Sequence, residues 1–266
     1  MQVFGHYANI NIKMPYKFSY KKSYSSSPYV QHVKKKRSFP ISMTLLLIII
    51  NVLIFIVQVI WDYSTQTPTS PGFFTSTFSI VPQDILHGQH LWSIVTNMFL
   101  HGSIFHILAN MLSLFFVGSF LEKIIGKKKF FWLYIVSGIV ASLFFVFLAS
   151  AFGSSSLGAR IFGSPDIAAL GASGAIFGLV ATLMILTPNV KVYIFFIPIA
   201  MPLWLGMLIM LFGLWIISAA ASLPIGNSAH FGGFICGIAY GIYLRIKYRK
   251  KVQVLDKIFS GKVKEN

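Results

Sequence analysis

From Ile41 to Leu244 the sequence is a succession of apolar stretches, most about as long as a bilayer is thick. A helix that crosses the hydrocarbon core needs about 20 consecutive apolar residues. Inside lipid the backbone must satisfy its own hydrogen bonds, which leaves helices or closed barrels. Long unbroken apolar runs, without strict alternation, select helices. Composition agrees: 56% of residues are hydrophobic and only 11% charged, against about 25% charged in a soluble domain.

Six segments emerge, at about Ile41–Trp61, Ser103–Leu121, Phe130–Phe152, Ser173–Leu186, Met201–Ala221 and Ala229–Leu244. The expected architecture is all-α, a polytopic bundle of six transmembrane helices. Three regions follow: a basic, disordered arm over residues 1–40, a membrane domain over 41–248, and a basic tail over 249–266. Residues 192–204 are apolar but hold Pro198 and Pro202, and are expected to run along the inner leaflet before segment 5. The connection over residues 62–100 mixes aromatic and polar residues; connections this long are uncommon without structure or function. Short helices lying at the membrane interface are expected there.

The net charge of +16 reads as topology. Of 22 Lys and Arg residues, all but Arg160 flank ends that this segment order puts on one side. The basic side is the cytoplasmic one, so both termini are expected inside, with the cell membrane as the location. Nucleic acid is not an expected partner, because such patches interleave stacking aromatics with charge. Attraction to anionic lipid headgroups fits the placement better. The single Cys236 excludes an intrachain disulfide and reads as a small buried hydrophobe. No cleavable signal peptide is expected, because the first apolar run starts too late and is too long.

Three polar motifs interrupt this apolar background. Gly171-Ala172-Ser173-Gly174 stands where a Gly/Ser-rich loop meets segment 4. Glycines there permit unusual backbone and close approach, and N–H groups at a helix start lack intrahelical partners. Ala229-His230-Phe231-Gly232-Gly233 opens segment 6, and an ionisable residue inside a membrane helix is functional by default. Gly233, Gly237 and Gly241 follow on one face, while Gly174 and Gly178 repeat the spacing in segment 4. Small residues four apart let membrane helices touch backbone to backbone. Packing of segments 4 and 6 would then put His230 beside Ser173, at matching depth. That pair makes a Ser–His dyad, His230 acting as general base and then acid. No acidic third member is visible, and Phe177, one turn below Ser173, is placed to orient the imidazole.

The third motif opens segment 2: His101, then His106 and Asn110 four apart on one helix face. Asn110 could donate to an oxyanion near Ser173. His101 sits just outside the helix, pinning the loop or contacting substrate. A metal centre on these histidines is not expected, since no acidic residue accompanies them and no H-E-x-x-H occurs.

Together these residues resemble the rhomboid family of intramembrane serine proteases, over roughly residues 41–245. His101, His106 and Asn110 match its H-x4-H-x3-N, residues 171–174 its G-x-S-G, and residues 229–233 its A-H-x-x-G. Leu121-Glu122-Lys123 before Gly126 also resembles that family's end of helix two. The resemblance implies Ser173 as nucleophile and His230 as base. It implies an oxyanion hole of Asn110, His106 and the Ser173 N–H, and a substrate-binding surface that includes Gly171, Phe177 and His101. It further implies transmembrane segments of membrane proteins as substrates, no cofactor, and segment 5 as a lateral gate against segment 2. One departure stands out: where the family often has Trp-Arg in the first long loop, this chain has Trp92-Ser93. A non-proteolytic relative that only binds membrane helices is the alternative, although such relatives typically lack the serine or the histidine.

Overall fold

The computed structural model describes residues 41–68, 70–194, 197–221 and 225–259. The basic arm, residues 260–266 of the tail and part of the turn after segment 5 lie outside the described residues. In chain order the helices are α1 (Met43–Thr65), α2 (Phe73–Phe78), α3 (Pro82–Leu86), α4 (Ser93–Thr96), α5 (Ile104–Ile125), α6 (Lys127–Phe152), α7 (Ser156–Phe162) and α8 (Ser173–Leu186). A hairpin of β1 (Lys191–Ile194) and β2 (Ile197–Pro202) follows. The chain then continues as α9 (Leu203–Ala221), α10 (Asn227–Lys247) and α11 (Arg249–Phe259).

Helices α1, α5, α6, α9 and α10 are long and apolar enough to cross a bilayer. The sixth expected segment is α8, only 14 residues long. At 1.5 Å per residue it spans about 21 Å, less than a hydrocarbon core of about 30 Å. It is also the most enclosed helix, because α6 and α10 pack against it and 10 of its residues are buried. A short helix buried in the bundle, ringed by longer ones, can present its first residue below the membrane surface. Many side chains on α1, among them Ile56, Val57, Val59 and Ile60, are exposed, as lipid-facing residues of a membrane helix are.

Residues 191–194 and 197–202 add paired strands to the stretch expected along the inner leaflet. They form an antiparallel two-stranded hairpin whose register pairs Lys191 with Pro202 and Val192 with Met201. Val190 and Leu203 close its base through Leu203 N–H to Val190 O at 2.8 Å. Local strand pairing satisfies backbone groups that an extended chain against lipid would leave open. Segment 2 also differs in detail: α5 loosens into a π-helical turn at Leu114–Gly118. Beyond it, the buried Glu122 carboxylate accepts from the Met43 and Thr44 N–H groups and the Thr44 hydroxyl, at 2.7–2.9 Å. Those are orphan donors at the start of α1, so α5 caps α1.

The connection over residues 62–100 carries the expected short helices, α2 to α4. Its scaffold is Asp62, which accepts from Phe74 N–H at 2.7 Å and Thr75 Oγ1 at 2.7 Å. Trp61, Phe73, Phe74 and Phe78 stack around that turn.

Candidate active site

Ser173 is the first residue of α8. Its N-cap, Ala172, offers no side chain to the helix start, so the N–H groups of the first turn stay available. Gly171 precedes them at φ +129, in backbone territory that side chains avoid, and its N–H donates to Asn97 O at 2.9 Å. A Cβ at Gly171 would meet the His106 ring at 2.7 Å. The bare backbone is therefore what lets His106 stand beside the serine.

The small-residue spacing of segments 4 and 6 is used as backbone contact. A methyl at Gly233 would overlap the Gly174 carbonyl, and one at Gly237 the Gly178 carbonyl. Between these helices Thr182 Oγ1 donates to Gly237 O at 2.9 Å. This approach leaves Ser173 Oγ 2.7 Å from His230 Nε2. His230 is buried, and Phe177 stacks on it with centroids 4.5 Å apart and planes 10° from parallel. A flat ring on one face and a hydroxyl at one edge hold the imidazole in a single orientation. With the hydroxyl donating to Nε2, the ring proton sits on Nδ1, which has no partner among the described residues. Among the described residues no carboxylate hydrogen-bonds to His230.

Helix α5 brings the other polar groups. Ser103 caps it by accepting from His106 N–H at 3.1 Å. The Gly102 N–H approaches His106 Nδ1 at 3.4 Å, which makes Nδ1 the acceptor and leaves the proton on Nε2, the edge nearest Gly171. Asn110 is buried, and its Nδ2 donor has no partner among the described residues. An unsatisfied amide in this setting costs free energy, so it is a donor in want of an acceptor.

His101 takes a different position. It is 1% exposed and its ring stands edge-on to His106 at 5.2 Å. Burial, and secondarily the neighbouring His106, hold its pKa down to about 3. Its ring nitrogens have no hydrogen-bond partner among the described residues, and the loop is held here through the His101 backbone. The pin is Gln58, which sequence reading did not single out. Its Oε1 accepts from His101 N–H and its Nε2 donates to His101 O, both at 3.1 Å, and to Thr75 Oγ1 at 3.0 Å. One amide side chain thus fastens the α5 entrance to α1. Gln58→Leu strands both backbone groups, at a cost of about 1–3 kcal/mol. A lowered thermal midpoint in detergent is expected, and an unchanged midpoint would contradict the clamp.

The Trp92-Ser93 departure has a structural counterpart. Ser93 is buried, and Asn97 two positions before Phe99 ties the loop to the bundle: its Nδ2 donates to Ser142 Oγ at 2.8 Å and to Ile94 O at 3.1 Å. Through its own carbonyl, Asn97 also receives Gly171 N–H. The loop is braced by an amide, without the arginine. Among the described residues, no group of three His, Cys, Asp or Glu side chains is gathered so as to hold a metal ion.

Comparison with known proteins agrees with this architecture. The family model described as "Rhomboid domain" matches residues 88–247. RHOMBOID-like protein 1 of Arabidopsis thaliana is 34% identical over 165 residues, covering 61% of this chain and 37% of that protein. Rhomboid protein 1, mitochondrial, of Saccharomyces cerevisiae is 31% identical over 164 residues, 60% of this chain and 44% of that protein. Rhomboid protease GluP of Bacillus subtilis is 31% identical over 198 residues, 74% of this chain and 33% of that protein. The chain therefore spans less than half the length of these relatives. The match also extends to the "Inactive RHOMBOID-like protein 8" of Arabidopsis thaliana, 37% identical over 79 residues, 30% of this chain and 22% of that protein. On the family match and the bundle of membrane-spanning helices, this chain is an integral membrane protein that belongs to the rhomboid family.

Proposed function

We propose that this chain is a serine endopeptidase that hydrolyses a peptide bond in or next to a transmembrane segment of another membrane protein. The observation that carries the reading is the 2.7 Å contact between Ser173 Oγ and His230 Nε2 at the half-buried start of a helix too short to cross the bilayer. His230 Nε2 takes the hydroxyl proton as Ser173 Oγ bonds to the substrate carbonyl carbon. Negative charge passes to the carbonyl oxygen. The available donors are Asn110 Nδ2, the His106 Nε2–H and the Ser173 N–H, a set suited to an oxyanion. The imidazolium then gives its proton to the leaving amine, which departs. Water, deprotonated by the same His230, hydrolyses the acyl-enzyme and regenerates the serine.

Gly171 and Phe177 border the serine, and we assign them to the substrate-binding surface, with His101 acting through the loop. The placement of Lys and Arg supports the cell membrane with both termini cytoplasmic, which puts Ser173 near the outer leaflet. The test is incubation of the purified protein with a single-span membrane substrate in detergent micelles. Cleavage into two fragments is expected; stable binding without cleavage would favour the alternative of a non-proteolytic protein that binds membrane helices. In the same assay Asn110→Ala is expected to lower kcat by about 10²–10³-fold, the effect of losing one oxyanion donor. A normal melting profile with undiminished kcat would remove Asn110 from the mechanism.

A further inference from the structure

At the end of the bundle opposite Ser173 the chain does not simply trail away. Tyr248 breaks α10, and α11 folds back across the ends of α8 and α5. Val252 is buried there, and Phe259 meets Phe120 edge-on at 5.6 Å. Arg245 fixes the arrangement: it donates to Asp256 of α11 at 2.9 Å and to Ile185 O, near the end of α8, at 2.7 Å. The helix is therefore held in place by one face, and its other faces remain to be accounted for.

Val254 and Ile258, one turn apart on a different face, are 55% and 41% exposed. Lys251 stands one turn before Val254 on the same helix, and with Lys129 and Lys247, whose Nζ also donates to Tyr243 Oη at 2.6 Å, it surrounds the Tyr248 ring. Lys129 Nζ donates to Tyr248 Oη at 3.0 Å and lies 4.2 Å from the ring centroid. Lys251 Nζ is 5.9 Å and Lys247 Nζ 6.0 Å from the same ring. None of the three has an acidic partner among the described residues, since Asp256 is taken by Arg245. The Lys129 hydrogen bond holds the Tyr248 phenol below its ordinary pKa. Three positive charges around one ring, without a carboxylate among them, form a place where an anion is attracted. Apolar side chains beside a lysine cluster match a membrane interface, acyl chains on one side and phosphates on the other.

We propose that Lys129, Lys247 and Lys251 around Tyr248 form a binding site for the phosphate of an anionic phospholipid, whose acyl chains lie against Val254 and Ile258 of α11. The occupant is a lipid and not free phosphate because the exposed apolar strip adjoins the charge. Through Arg245, the occupied site would brace the end of the helix that carries Ser173. The inference does not depend on the proteolytic reading, because its readout is lipid retention.

The test uses the full chain, delipidated in detergent and offered equal amounts of phosphatidylglycerol and phosphatidylcholine with the same acyl chains. Bound lipid is read by native mass spectrometry. Wild type is expected to retain phosphatidylglycerol at least about fivefold over phosphatidylcholine, the discrimination that a single lysine contact supplies. The triple variant Lys129→Gln, Lys247→Gln, Lys251→Gln is expected to bring the ratio near one. The triple Lys→Arg variant keeps the preference, which separates lost charge from lost folding, and Lys191→Gln leaves it unchanged. Equal retention of both lipids by wild type, or an undiminished preference in the Gln variant, overturns the proposal. Displacement of the anionic lipid by millimolar inorganic phosphate also overturns it, since the site would then read phosphate alone.

Discussion

Ser173→Ala is expected to reduce cleavage of a membrane substrate by at least about 10³-fold while leaving the fold intact. Nucleophile loss in a serine protease removes nearly all of the covalent route, and the remaining groups supply only residual catalysis. The structural cost is small. The Ser173 side chain does not cap α8, and the hydroxyl contacts only the His230 imidazole among the described residues. Alanine removes that contact and leaves Phe177 stacked on His230. Melting profiles of variant and wild type should therefore nearly coincide, while cleavage kinetics diverge. His230→Ala should lose activity comparably, and the double variant should lose little more than either alone, because the two side chains act as a unit. A double variant whose losses multiply would mean that each residue works independently, against the dyad.

Gly233→Ala should have the second largest effect, although residue 233 touches no reacting atom. The added methyl would overlap the carbonyl of Gly174, the residue after the nucleophile. That contact is backbone, and no side-chain rotation relieves it. Overpacking of this kind costs about 1–3 kcal/mol of stability. The helices part to make room, and the 2.7 Å approach of Ser173 to His230 opens with them. A shift of about 1 Å at a catalytic pair can cost about 100-fold in rate. The expected signature is a modest drop in thermal midpoint with a much larger drop in kcat. Gly213→Ala serves as the comparison, since a Cβ there meets no neighbour; it should leave both unchanged. Equal activity of Gly233→Ala and wild type would show that backbone contact between α8 and α10 does not set the site.

These two results depend on features that were legible in the sequence for a physical reason. Hydrophobicity over about 20 residues reports membrane helices directly. Glycines four apart report a face without side chains, and only a close neighbour makes use of such a face. Ser173 and His230 could therefore be paired before any coordinates, and the stacking of Phe177 followed from its place one turn on. The rest was less visible because it lies in pairings between distant positions. Gln58 reaches His101 across 43 residues and Asn97 reaches Ser142 across 45, and no local spacing encodes such partners. The signal that did exist was polarity out of place: Asn51, Gln58 and Asp62 share one buried stripe of α1. The strand pair 191–194 with 197–202 is hidden because its first strand is only four residues long and its second is apolar on both faces with Pro198 and Pro202 in it, leaving too little alternation to read. By composition alone α11 is part of a basic tail. Val252, Leu255 and Phe259, at helical spacing among the lysines, were the sign that it folds back.

The most direct test of the central claim is reaction of the purified protein with a fluorophosphonate probe, followed by digestion and mass mapping of the adduct. A serine made nucleophilic by a neighbouring base is phosphonylated, whereas an ordinary helix-start serine is not. The account predicts one adduct per chain, on Ser173, lost in His230→Ala although the serine remains. An adduct on another residue, or labelling of Ser173 that persists without His230, would contradict it.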